Sequence, residues 1–151
     1  RIGMWGWSGG GGATLNALFR YPEIYSTGIA VAAVTNLRNY DTIYMERYMG
    51  LFDENPEDYE EGSVLKHASG LEGNLLLVHG TGDDNVHYQN AEQLINELIK
   101  HNKYFTMLAY PNRSHGIFEG PGTRKHLFTY MTRYLNENLP PGGRPRDATS
   151  D

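Results

Sequence analysis

Ser8 stands in the run Gly6-Trp7-Ser8-Gly9-Gly10, a match to G-x-S-x-G. A serine hydroxyl is a poor nucleophile without a base, and an imidazole base needs an acid to fix its tautomer and orientation. The chain offers both. Asp83 lies in Gly80-Thr81-Gly82-Asp83-Asp84-Asn85-Val86, and His115 lies in Asn112-Arg113-Ser114-His115-Gly116. Together the three residues would perform acyl transfer, with Ser8 as nucleophile, His115 as base and Asp83 as orienting acid. The glycines have a mechanical purpose: a nucleophile on a sharp strand-to-helix turn sits in a strained backbone, and bulky neighbours would clash. The same turn aims the Gly9 N–H at a forming oxyanion, with the helix N-terminus adding partial positive charge.

Each residue also has another reading. Glycine-rich turns before helices bind phosphates, but no Lys-Ser or Lys-Thr pair follows these glycines. Leu15 occupies the last glycine place of a dinucleotide fingerprint counted from Gly10. A purely structural glycine turn remains an alternative. Asp83 could be a helix N-cap, as could Asp84 or Asn85, and His115 could be an ordinary loop histidine. The agreement of separate loops on one template favours the catalytic reading. His79 ends a strand and is expected to be packed. His67, His87, His101 and His126 lack ligand-like spacing, so no metal site is expected.

The elements that must position these groups follow from hydrophobic patterning. Apolar runs at Ile2 to Trp5, Thr27 to Val34, Asn74 to His79 and Phe105 to Tyr110 read as buried strands. Ala13 to Phe19 has helical spacing, and Tyr21-Pro22 ends that helix. Tyr40 to Met49 reads as helical, Asn55-Pro56 opens a short acidic helix, and Ser63 to His67 leads into a loop. Between Val86 and Lys100, the residues Ala91, Leu94, Ile95, Leu98 and Ile99 form one apolar face. Leu127, Met131, Leu135 and Leu139 stripe a last helix, broken by Pro140-Pro141. Alternating strands and helices with continuously apolar strands predict a parallel sheet covered on both faces, a three-layer α/β/α arrangement. The candidate residues all fall just past strand C-termini, where open α/β sheets place their sites. The order serine, acid, histidine is that of the α/β-hydrolase fold, here its C-terminal half.

The chain has 151 residues, with 39% apolar and 21% charged, as in a globular domain. A net charge of −5 and scattered basic residues argue against nucleic acid as a main partner. With no cysteine, disulfides, thiolate metal sites and a cysteine nucleophile are excluded. No apolar stretch approaches the ~20 residues of a membrane span, and no leader is visible. Arg1 opens straight into a strand, so the expectation is a chain that starts in mid-domain: residues 1–139 part of a catalytic domain, and 140–151 a disordered tail.

Beyond the elbow, the chain resembles the prolyl oligopeptidase family of serine peptidases, in particular its dipeptidyl peptidase IV branch. The matching stretches are Gly6-Trp7-Ser8, Gly28-Ile29-Ala30-Val31-Ala32, the Tyr44 to Gly50 run YMERYMG, His79-Gly80-Thr81, Asp83-Asp84-Asn85-Val86-His87 and His115-Gly116. The resemblance implies Asp83, not Asp84, as the acid. It also implies a proline-sized pocket built from Val34, Tyr40 and Tyr44, with Asn85 touching a substrate backbone carbonyl. Core packing is the other reading of the two tyrosines. It further implies a peptide substrate, removal of dipeptides after proline or alanine, no cofactor, a homodimer, and export to the periplasm or cell exterior. A β-propeller and the first half of the hydrolase sheet would lie outside this chain. A propeller would supply acids for the substrate amino terminus, and a tyrosine from the other half would complete the oxyanion hole. Two positions depart from the pattern: Gly9 stands where an aromatic residue usually follows the nucleophile, and Leu37 stands where this branch commonly has tryptophan. Rival readings are an esterase or acylaminoacyl peptidase on the same fold, and a non-catalytic binding module.

Overall fold

A computed structural model of the chain describes residues 2–141. Its sheet is parallel and four-stranded, in the order β1-β2-β3-β4. The strands are β1 (Ile2–Trp7), β2 (Tyr25–Val31), β3 (Asn74–Gly80) and β4 (Thr106–Tyr110). The helices are α1 (Gly9–Arg20), α2 (Thr42–Met49), α3 (Pro56–Gly62), α4 (Gln89–Lys100) and α5 (Thr123–Asn138).

Successive side chains of a strand point to opposite faces, and the buried residues of β3 divide accordingly. Leu75 and Leu77 pack with Leu15, Leu18 and Phe19 of α1 and with Leu94 and Leu98 of α4. Leu76 and Val78 pack on the opposite face with Leu127, Met131 and Tyr134 of α5. The sheet is therefore the middle of three layers, as its apolar runs imply. This is the α/β-hydrolase type of arrangement, with β1, β3 and β4 ending at the loops that carry Ser8, Asp83 and His115. No helix among the described residues is long and apolar enough to cross a membrane.

Several boundaries differ from the sequence expectation. β1 continues to Trp7. β2 stops at Val31 because Ala32 turns to φ 46°, outside the extended region. α2 begins at Thr42 rather than Tyr40. The helix expected from Val86 begins at Gln89, because the preceding residues form a turn around Asp83. The loop expected after Ser63 is a 3-10 turn, Val64–Gly70, which buries Val64 and Ala68 beside α1. Ile99 is 63% exposed: it lies about 100° around the helix from buried Leu98 and so misses the sheet. On α5, Tyr134 is buried, while Leu135 is only partly so. Leu139 lies just past the helix end. Of the tail expected at 140–151, residues 142–151 lie outside the described residues.

Leu94 is fully buried between α4 and the sheet. Leu94→Ala should destabilise the fold by about 2–5 kcal/mol, read as a lower urea midpoint at unchanged slope. An unchanged midpoint would contradict this packing.

Candidate active site

Ser8 joins β1 to α1 in a backbone conformation of φ 58°, ψ −122°. For a residue with a Cβ this region costs about 1–3 kcal/mol and must be held by its surroundings. Here the Ser8 N–H donates to Val31 O at 2.9 Å, and Ser8 O accepts from Gly12 N at 3.1 Å and from Val34 N at 3.4 Å. The turn is thus tied to the end of β2 at Val31 and to the chain leaving it at Val34. The turn is tight enough that a Cβ on Gly6 would collide with the Gly10 carbonyl. A Cβ on Gly12 would lie 2.7 Å from Val34 O, so the helix comes close to the chain leaving β2 only because that position is bare. Gly9 differs: a Cβ there meets nothing within 4 Å. Small size is demanded at Gly6 and Gly12, whereas Gly9 faces open space. As the first residue of α1, Gly9 carries one of the N–H groups that a helix leaves without an internal partner.

Asp83 sits directly after β3, and its side chain is 0% exposed. Its Oδ1 accepts from the N–H of Asn85 at 3.0 Å and of Val86 at 2.9 Å. Its Oδ2 lies 2.8 Å from His115 Nδ1 and 3.3 Å from His79 Nε2. Burial pushes the Asp83 carboxyl up. The hydrogen bonds from His79, His115 and the Asn85 N–H outweigh it and hold the group below its ordinary range. An ionised carboxylate only accepts, so His115 Nδ1 carries a proton, which in the neutral imidazole makes Nε2 the acceptor. The same reasoning gives His79 its tautomer. Its Nε2 also lies 2.8 Å from Val86 O, so it faces two acceptors and bears the proton.

His115 lies in a short turn after β4, closed by a bond from Ile117 N to Ser114 O at 3.1 Å. Trp7 Nε1 donates to the His115 carbonyl at 2.9 Å. The residue before Ser8 is therefore hydrogen-bonded to the residue bearing the imidazole. Ser8 and Gly9 also form one side of a cavity of about 400 Å³, whose other walls include Val34, Leu37, Tyr40 and Tyr44. The Tyr40 and Tyr44 rings meet edge-to-face at 5.4 Å. Burial raises the Tyr40 phenol, reinforced by Asp41, Tyr44 and Asp83, so it stays neutral.

The fold thus brings Asp83 and His115 into direct contact, ties Trp7 to His115, and gathers Ser8, Gly9, Val34, Tyr40 and Tyr44 around one cavity. Asn85 is exposed and contributes its N–H to Asp83; it does not line that cavity. The sequence pattern shows neither the bond from Trp7 to the His115 carbonyl nor the contact of His79 with Asp83. Position is the available signal: Trp7 lies inside the elbow, and His79 lies near the end of β3, four residues before Asp83 in the loop that follows. Among the described residues, no group of His, Cys, Asp and Glu is arranged to hold a metal.

A family model described as the prolyl oligopeptidase family matches residues 1–141. Over 140 residues the chain is 40% identical to prolyl endopeptidase FAP of Mus musculus and 37% identical to dipeptidyl peptidase 4 of Felis catus. Each match covers 91% of this chain and 18% of the relative. The crystal structure of dipeptidyl peptidase 4 from Porphyromonas gingivalis superposes with a TM-score of 0.89 at 45% identity, over 92% of this chain and 20% of that one. The chain therefore spans about a fifth of the length of the proteins it matches. With nearly all of its described length covered by the family model, the chain belongs to the prolyl oligopeptidase family.

Proposed function

We propose that this chain carries the nucleophile, acid and base of a serine peptidase that removes dipeptides from peptide N-termini after proline or alanine. The contact between His115 Nδ1 and the buried Asp83 carboxylate carries the reading, because in the neutral imidazole it fixes the tautomer whose Nε2 can take the serine proton. Ser8 attacks the carbonyl carbon of the scissile bond while His115 takes its proton. The Gly9 N–H binds the oxyanion. His115 then protonates the leaving amine as the C–N bond breaks, leaving an acyl-enzyme on Ser8. Water, deprotonated by His115, attacks the ester carbonyl, and His115 returns the proton to Ser8 Oγ as the acyl C–O bond breaks. No cofactor enters these steps.

The cavity beside Ser8 supports a flat apolar side chain in the position before the scissile bond. Val34 and the Tyr40–Tyr44 pair offer apolar and aromatic surface there. Asn85 is assigned to the substrate backbone. Groups that hold the substrate amino terminus and complete the oxyanion hole are assigned to parts of the parent protein outside this chain, a propeller and the first half of the sheet. Dimerisation and export belong to the same reading.

Ser8→Ala in the full-length parent should lower kcat for Gly-Pro-p-nitroanilide by about 10⁴-fold or more. Hydrolysis at the wild-type rate would rule out Ser8 as nucleophile. Tyr40→Ala should lower kcat/KM for that substrate by about tenfold or more, with a smaller effect on a simple acetyl ester. Equal losses on both would remove Tyr40 from the proline pocket. For pH, Asp83 has a folded-state value below its ordinary 3.8. Its ionised form therefore stabilises the fold fully above about that pH, and the contribution disappears as pH falls through the lower folded value. Urea midpoints of wild type and Asp83→Asn should differ at neutral pH and converge only in strong acid. Convergence already at neutral pH would contradict the hydrogen-bonded carboxylate.

A further inference from the structure

The turn that bears His115 is strained. Ile117, two residues beyond it, has φ 43°, a left-handed conformation unusual for a β-branched residue. Its side chain is 0% exposed and packs with the α5 core cluster, which anchors one end of the turn. The backbone itself is gathered by Glu119. Its Oε1 accepts the Ser114 N–H at 3.1 Å and its Oε2 accepts the Phe118 N–H at 3.1 Å. One carboxylate thus spans the segment from the residue before His115 to the third residue after it. Charge-assisted bonds of this kind are the stronger class. The Glu119 carboxyl is held below its ordinary range by its bonds to Ser114, its own N–H and Phe118, so it is ionised at neutral pH. Arg113 secures the far side: its Nε donates to Glu119 O at 3.2 Å and its Nη1 to Pro111 O at 2.8 Å.

We infer that Glu119 is a positioning residue for His115: by bridging the Ser114 and Phe118 N–H groups it fixes the strained turn that sets the imidazole against Asp83. It touches neither substrate nor the reacting atoms and acts only through the base. The inference rests on the serine peptidase reading above. A carboxylate is needed here because its two oxygens face two donors. Glutamine keeps one acceptor and turns an NH₂ group toward the other N–H, whereas aspartate keeps both oxygens on a shorter stem.

The test uses the full-length parent as wild type, Glu119→Ala, Glu119→Gln, Glu119→Asp and Ser8→Ala. It measures the second-order rate of fluorophosphonate labelling, kcat and KM on Gly-Pro-p-nitroanilide, and Tm. Misplaced catalytic groups cost up to about 100-fold. Glu119→Ala should therefore lose about 10- to 100-fold in both labelling rate and kcat per folded molecule, with KM within about twofold. Glu119→Asp should recover more of that loss than Glu119→Gln. Wild-type labelling and kcat in Glu119→Ala would overturn the inference, and so would a lower Tm with kcat per folded molecule unchanged. Should Glu119→Ala not fold, the ranking of the aspartate and glutamine variants decides, and wild-type labelling in both would overturn it. A wild type that labels no faster than Ser8→Ala would bring down the serine peptidase reading itself, and the positioning role with it.

Discussion

A carboxylate with no exposed surface stays ionised only where hydrogen bonds replace the water it has lost. Asp83 meets that condition, and much of the site's architecture follows from how it does so. Its Oδ1 takes the N–H groups of Asn85 and Val86, which curls the chain after β3 and delays α4 to Gln89. Its Oδ2 takes His115 and lies beside His79. His79 in turn bonds Val86 O, so the strand end, the turn and the carboxylate form one closed set of contacts. Without this ring of donors the charge would be costly, and His115 would lose the partner that defines its tautomer.

The second constraint is the strained turn at Ser8. Its tolerance depends on two close approaches that bare positions permit: the end of β1 against the Gly10 carbonyl at Gly6, and α1 against the chain leaving β2 at Gly12. The Trp7 indole then reaches across to the His115 carbonyl. The two loops are connected through the backbone of the proposed base, leaving its ring available to Asp83 on one side. The chain leaving β2 also carries Val34 and Leu37 into the cavity wall, so one set of loops shapes both the elbow and the space beside it.

Much of this was legible in the sequence because the signals are local. Continuous apolar runs gave the buried strands, and G-x-S-x-G placed the turn between a strand and a helix. The order of Ser8, Asp83 and His115 pointed to the fold. The cap reading of Asp83 fails as a helix cap, because α4 begins only at Gln89; its Oδ1 instead closes a turn by accepting the Asn85 and Val86 N–H groups, while its Oδ2 meets His115. What stayed hidden were contacts made between distant segments. Nothing near Trp7 in sequence announces a partner in the loop after β4. The exposure of Ile99 escaped because a helical stripe does not reveal where its edge leaves the sheet. Gly9 looked like part of the steric requirement of the turn, yet the space beside it is open.

The most direct test of the central claim is mass-spectrometric mapping of a fluorophosphonate adduct on the full-length parent, with Asp83→Asn treated in parallel. The account predicts a single phosphonylated residue, Ser8, with labelling strongly slowed in Asp83→Asn. An adduct on another serine, or equal labelling of Ser8 in both proteins, would contradict it.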